Sequence, residues 1–240
     1  MSYLHQQISI QGNWQIHQIV HCVGKIGTLE HILSSCNVVL GQGRYTWRHN
    51  QVLRQLADTI ELAKREKQKG PRQKQQQILF VREGEKISVN RVKPTGILDQ
   101  AEDWKLSVDL DTKLVFPEIV TTNLRPDMVL WSPSKKNIVI IELTIPWEER
   151  TSEAHERKKA KYTELVEEYR AQGWRALNYP VEVGCKGFPA QSVWRCFTAL
   201  GIRGKQRKAA VGKLCKEAER ASCWLWMRRE DSWRPTFSTQ

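Results

Sequence analysis

The chain has 240 residues, 27% of them charged, with a net charge of +12 and a pI near 9.5. That length can bury a core of its own, and so basic a balance points to an anionic partner, nucleic acid before acidic lipid. No run approaches the roughly 18 to 20 apolar residues of a spanning helix, no charged-then-apolar leader opens the chain, and six dispersed cysteines are too dilute for a disulfide scaffold. A membrane-spanning or disulfide-stapled secreted protein is therefore not expected.

Met1 to Val20 show no periodicity and read as a poorly ordered lead-in. A short helix is predicted over Thr28 to Ser35, capped by Thr28 and presenting Leu29, Ile32 and Leu33 on one face. A longer one is predicted from Arg44 to Lys67, where Val52, Leu53, Leu56, Ile60 and Ala63 recur at three and four. Arg72 to Gln77 is a Gln/Lys tract with the composition of a solvated linker. Strand candidates follow at Ile78 to Val81, Trp104 to Leu110 and Leu114 to Phe116. Beyond them the pattern predicts a strand hairpin over Met128 to Ile141, a helix from Glu149 to Gln172, and a strand from Ala176 to Val183. Two helices, Gln191 to Leu200 and Lys205 to Arg228, close the folded part. Strands with helices on both sides in sequence imply an α/β domain, a small mixed β-sheet flanked by α-helices, with extra helices at both ends. The expected division is a lead-in over 1–43, a domain over 44–233 and a tail over 234–240. Most of the cysteines read as reduced core thiols, and Trp174, Trp194, Trp224 and Trp226 fall on apolar stripes, where packing explains them best.

The hairpin carries the chemistry. Met128 to Trp131 and Ile138 to Ile141 are continuous apolar runs, as strands buried on both faces require, and Ser132 to Asn137 is a turn by composition. An antiparallel return puts Asp127, at the start of the first strand, beside Glu142, at the end of the second. Two acids at the edge of a buried sheet call for a cation between them, and carboxylates suit Mg²⁺ or Mn²⁺. The Leu143 carbonyl could add a further ligand. Two residues past Glu142 stands Thr144 rather than a lysine, so a positive charge must come from elsewhere. On the next helix the stripe of Tyr162, Leu165, Val166 and Tyr169, extended one turn back, reaches Lys158 and Lys161. Capping of turns, or pairing with Arg125 or Arg150, is the plain alternative for the acids, and a solvated helix start is the plain alternative for the lysines.

These blocks, Arg125-Pro126-Asp127, Glu142-Leu143-Thr144-Ile145-Pro146-Trp147, Ala154-His155-Glu156-Arg157-Lys158 and Lys161-Tyr162, resemble the restriction-like endonuclease domain at the C-terminal end of site-specific non-LTR retrotransposon polyproteins. That domain belongs to the PD-(D/E)XK nuclease superfamily. The resemblance extends from about Gly27 to Trp233 and includes Val183-Gly184-Cys185-Lys186-Gly187-Phe188. It implies a restriction-endonuclease-like core and a metal-dependent endonuclease that nicks chromosomal DNA in the nucleus to prime reverse transcription. Asp127 and Glu142 would bind the metal, and Lys158 or Lys161 would position water. The reverse transcriptase portion is absent from this chain. Double-stranded DNA, and retroelement RNA besides, would be the partners. The alternative is a catalytically inactive, nucleic-acid-binding relic of a retroelement; an interaction scaffold built on the tryptophan-rich C-terminal helix is the weaker third reading.

Two further segments bear on that resemblance. His31 and Cys36, with Cys22 upstream, have the spacing of a partial Cys-Cys-His-Cys knuckle, which would take Zn²⁺ if four ligands could be found. The expected partner of Cys22 is missing, and ordinary core packing competes with zinc. Arg48 and His49 match an Arg-His-Asn element of the resembled domains and are assigned, with Arg125, to DNA contact; capping by Thr46 or Asn50 competes with this for the helix start.

Overall fold

Two strands anchor the architecture because their sequences leave no polar face to expose. Asn137–Thr144 is buried at every position but the last, and Met128–Ser132 at every position but Trp131. The computed structural model describes residues 20–22, 25–69, 95–110, 114, 120 and 122–231. In chain order its elements are β1 (Val20–Cys22), β2 (Lys25–Gly27), α1 (Asn37–Gly41), α2 (Arg44–Lys69), β3 (Lys105–Val108), β4 (Met128–Ser132) and β5 (Asn137–Thr144). They continue with α3 (Thr151–Lys161), α4 (Thr163–Ala171), β6 (Arg175–Glu182), α5 (Gln191–Leu200) and α6 (Gly204–Met227).

The main sheet runs in the order β3-β4-β5-β6. β3 and β4 pair antiparallel, as do β4 and β5, whereas β6 joins β5 in parallel after the crossover through α3 and α4. A parallel partner needs such a crossover. The fold is thus a mixed α/β arrangement, a four-stranded mixed sheet flanked by helices. One face packs Met128, Leu130, Val139, Ile141 and Leu143 into a core with Val52, Leu53, Leu56 and Ile60 of α2, and with residues of α5 and α6. The other face packs Val129, Ile138 and Ile140 against Tyr162, Leu165, Val166 and Tyr169. Each fully buried Leu, Ile or Val contributes on the order of 1.5 to 3 kcal/mol, so the strand alternation assigns both faces firmly.

Thr28 caps the first helical segment as expected, its Oγ1 accepting from the His31 amide at 3.1 Å. That segment is a π turn over His31–Ser35, followed by α1, which the sequence pattern did not anticipate. The end of the expected lead-in pairs instead as a short antiparallel ladder, Val20 opposite Gly27. The helix expected as one piece over Glu149 to Gln172 is two. It breaks at Tyr162, whose φ of −106° and ψ of 9° leave the helical region. No glycine or proline marks the break, and the side chain of the residue at it is tied to Glu142 and the Arg125 carbonyl. α5 ends where expected, on Gly201 at φ +95°, a left-handed cap that glycine adopts without strain. The remainder of the lead-in, the tract at 72–77 and the strand at 78–81 lie outside the described residues, as does the strand at 114–116 apart from Leu114.

Cys36 belongs to the apolar core with Ile32, Leu33 and Val39, rather than facing outward as a ligand. The side chain of Cys22 lies outside the described residues. Cys36, Cys185, Cys196, Cys215 and Cys223 are free thiols. Burial pushes Cys196 up to about 12, which keeps it protonated and inert. Among the described residues no helix is long and apolar enough to cross a membrane.

Candidate active site

The hairpin register decides where the acids meet. Met128 stands opposite Ile141, so Asp127 and Glu142 are the next pair outward, at the edge where β4 begins and β5 ends. The Glu142 side chain emerges on the α3 side of the sheet, and the residue is only 2% exposed. Its Oε2 accepts from the Asp127 amide at 3.1 Å and from the Tyr162 hydroxyl at 2.8 Å. Its Oε1 receives Lys158 Nζ at 2.5 Å and Lys161 Nζ at 3.4 Å. Both lysines therefore face Glu142, continuing the inward stripe that Tyr162 begins. A buried carboxylate demands this much compensation.

Tyr162 entered the sequence reading as a core-stripe residue and as the neighbour of Lys161 in the resembled blocks, with no role of its own at the site. It is fully buried, and its hydroxyl lies 3.0 Å from the Arg125 carbonyl and 2.8 Å from Lys161 Nζ as well as contacting Glu142. Burial first, and then the negative charge of Glu142, push its phenol well above the ordinary range. It stays a neutral donor that fixes the Glu142 carboxylate from the helix side. The signal was present in principle, because a tyrosine on a core stripe needs a partner for its hydroxyl.

Asp127 looks the other way. Its Oδ2 accepts the Leu143 amide at 2.7 Å and His49 Nε2 at 3.2 Å. The same His49 nitrogen lies 3.3 Å from the Leu143 carbonyl oxygen. His49, one helical residue after Arg48, thus meets Asp127 while also lining the cleft described below. Its own burial acts downward on the imidazole, but the hydrogen bond and charge of Asp127, aided by Asn50 and Leu143, outweigh it and raise the pKa above the ordinary 6.5. The sign follows from linkage. A raised folded-state pKa contributes stability that is fully present below 6.5 and lost as pH climbs through the folded value. We expect the difference in melting temperature between the parent and His49→Asn to be larger at pH 5.5 than at pH 8.5; a difference that does not change with pH would show His49 to be uncharged against Asp127.

Arg48 departs most from its sequence assignment. It is 5% exposed, with Nη2 donating to the Ile145 carbonyl at 3.1 Å and Nη1 to Ser222 Oγ of α6 at 3.4 Å. Its guanidinium is committed inward, and burial lowers its pKa from 12.5. Arg44, at the helix start, is likewise interior, donating to the Arg228 and Asp231 carbonyls at the end of α6. A cation there suits the negative end of a helix. Arg125 does remain exposed, held by Asp109 Oδ1 at 2.6 Å. Thr144, where a lysine was missing, has a buried hydroxyl with no partner among the described residues.

A cleft of about 580 Å³ opens beside these groups, lined by His49, Leu143, Thr144, Trp147, Arg157 and Lys158 among others. Arg150 also lines it; with Arg157 and Lys158 against the single acid Glu153, the charge along its walls is net positive. Among the described residues no three histidine, cysteine or acidic side chains are grouped to hold an ion by themselves. Asp127 Oδ2 and the Leu143 carbonyl nevertheless converge on one point, the His49 N–H. Two hard oxygens facing one point are of the ligand type that magnesium takes, in sites where few protein ligands and the substrate's phosphate share the ion. Compared with known proteins, the chain matches no protein-family model and no curated protein.

Proposed function

We propose that the chain is a metal-dependent DNA endonuclease domain with a restriction-endonuclease-like core. The observation that carries this reading is the convergence of Lys158 and Lys161 on Glu142 Oε1, beside Asp127, at one rim of a basic cleft. The order of α2, three antiparallel strands, the α3–α4 crossover and parallel β6 supports the core assignment. Retroelement origin, and use of the nick to prime reverse transcription, rest on the sequence blocks alone.

In this reading Asp127, Glu142 and the Leu143 carbonyl would hold Mg²⁺ or Mn²⁺. The ion supplies Lewis-acid polarisation of the phosphoryl oxygen and a more acidic bound water. The chain's own groups do the rest. Lys158, whose ammonium already lies on the Glu142 carboxylate, orients a water and stabilises charge developing on the phosphate. Tyr162 keeps Glu142 from rotating. Arg150 and Arg157 draw the phosphate backbone along the cleft, a salt-dependent attraction.

Lys158 and Lys161 are not equivalent. Lys158 sits at hydrogen-bond distance from Glu142, whereas Lys161 is shared with the Tyr162 hydroxyl and lies over that ring at 4.7 Å. Lys158→Met is expected to reduce nicking by about 10²-fold, and Lys161→Met by about tenfold or less. A supercoiled-plasmid nicking assay over a Mg²⁺ and Mn²⁺ series reads both. Full activity in Lys158→Met would remove the cation from the mechanism.

One observation favours the non-cutting alternative. Both Glu142 oxygens already have protein donors, so the cluster is also satisfied as an ion-pair network that requires no metal. Salt-sensitive DNA binding by the parent chain, with no nicking under any divalent ion, would select that reading.

A further inference from the structure

The turn that follows β6 holds an aromatic ring out to solvent from a frame that is tied on both sides. Phe188 is 65% exposed. A bridge between Val183 and Pro189 closes the turn, and the Gly184 amide donates to the Phe188 carbonyl at 2.8 Å. Gly187 stands at φ +90°, and a Cβ there would lie 2.9 Å from the Cys215 carbonyl of α6. Only glycine fits that close approach in that conformation. On the other side the Cys185 amide donates to the Pro146 carbonyl at 2.8 Å, and Glu148 Oε1 accepts the Lys186 amide at 2.5 Å. The Cys185 side chain is fully buried beneath. The ring is thus exposed on an ordered platform rather than on a free loop tip.

The platform is continuous with the cleft. Lys186 lays its ammonium 4.1 Å from the centre of the Trp147 ring. Trp147 in turn walls the cleft that takes in His49, Leu143 and Lys158. An exposed ring, a cation on a second ring and a basic groove together match the needs of a strand with unstacked bases. Cations follow its phosphates, and any base offers a face to an aromatic ring. An intact duplex offers no such face, because its bases are stacked on one another.

We infer that Phe188 stacks on an unpaired base of the DNA held in the cleft, so that the chain binds DNA carrying a gap or mismatch beside the cleaved position more tightly than intact duplex. The partner follows from the DNA-cleaving reading; the stacking does not depend on cleavage. The whole chain is titrated with a duplex and with the same duplex carrying a short unpaired stretch that contains 2-aminopurine. Phe188→Ala is expected to bind the gapped DNA about tenfold more weakly and to lose the fluorescence change. Its affinity for intact duplex and its salt dependence stay as in the parent, since no phosphate contact is removed. Phe188→Trp restores both signals. Equal affinity of Phe188→Ala and the parent for gapped DNA, or equal losses on both DNAs, overturns the stacking. A chain that nicks duplex yet shows no Phe188 effect refutes this inference alone. A chain that discriminates through Phe188 yet nicks nothing upholds it and refutes only the nuclease reading.

Discussion

Asp127→Asn is expected to lower Mg²⁺-dependent nicking by on the order of 10²-fold or more while leaving the fold and the DNA affinity in place. The choice of asparagine follows from what Asp127 holds. Its Oδ2 accepts the Leu143 amide at 2.7 Å, a contact an amide oxygen can keep. Alanine would strand that N–H and remove the partner of His49, mixing a stability loss into the kinetic one. Asparagine removes the negative charge that, with Glu142, makes the edge attractive to a divalent ion; the same charge raises the His49 pKa, so the thermal melt is run above pH 8, where that contribution is smallest. Losing that charge beside a basic cleft also removes some repulsion from phosphate, so duplex binding should hold or tighten slightly. Conversion of supercoiled plasmid to open circle, DNA affinity by anisotropy and a thermal melt are measured on the same preparation. Parent-level nicking in Asp127→Asn would sink the metal-site reading, however well the variant folds.

Legibility of the site divides by the range of the interaction that places each residue. Asp127 and Glu142 were readable because the apolar runs and the turn between them set a register, and a register places strand ends. Lys158 and Lys161 were readable because a helix stripe extends by simple periodicity, and Tyr162 lies four residues beyond Lys158. The break at Tyr162 was not, since no glycine or proline announces it and the hydroxyl meets Glu142 and Arg125 only across the sheet edge. Arg48 was misplaced for a related reason, and the contact of His49 with Asp127 was not foreseen. Adjacent residues on a helix point about 100° apart, so the two meet different neighbours. What sends His49 to Asp127 and Arg48 to the Ile145 carbonyl is the end of β5 packing on α2, a contact between residues about a hundred positions apart in sequence. The short pairing of β1 with β2 lacked any alternating pattern that could have announced it. For the sheet as a whole, the buried strands and the helices between them were enough for a small mixed sheet; the strand order and the parallel pairing of β6 with β5, which a crossover permits, came from the structure.

Arg48 provides the second large effect, and its sign separates a structural arginine from a DNA-binding one. Arg48→Ala is expected to destabilise the fold by about 2 to 4 kcal/mol, corresponding to a drop of about 5 to 15 °C in melting temperature for a domain of this size. Truncation leaves a cavity between α2, α6 and the end of β5, and takes the donor from the buried Ile145 carbonyl. The Ser222 hydroxyl loses a partner as well. It also uncovers the ring of Tyr45, over which the guanidinium lies at 5.2 Å. Arg48→Met keeps much of the volume and removes the buried charge, whose desolvation is itself a cost, so it should lose less stability than alanine. Neither variant should change the slope of DNA affinity against salt, because no phosphate contact is removed. A phosphate-binding arginine gives the opposite pattern: little change on melting and a salt slope reduced by about one ion. Melting by circular dichroism alongside a salt titration of duplex binding distinguishes the two. A stable Arg48→Ala with a weakened salt slope would return this residue to the DNA surface. It would also mean that the guanidinium turns outward when the cleft is filled.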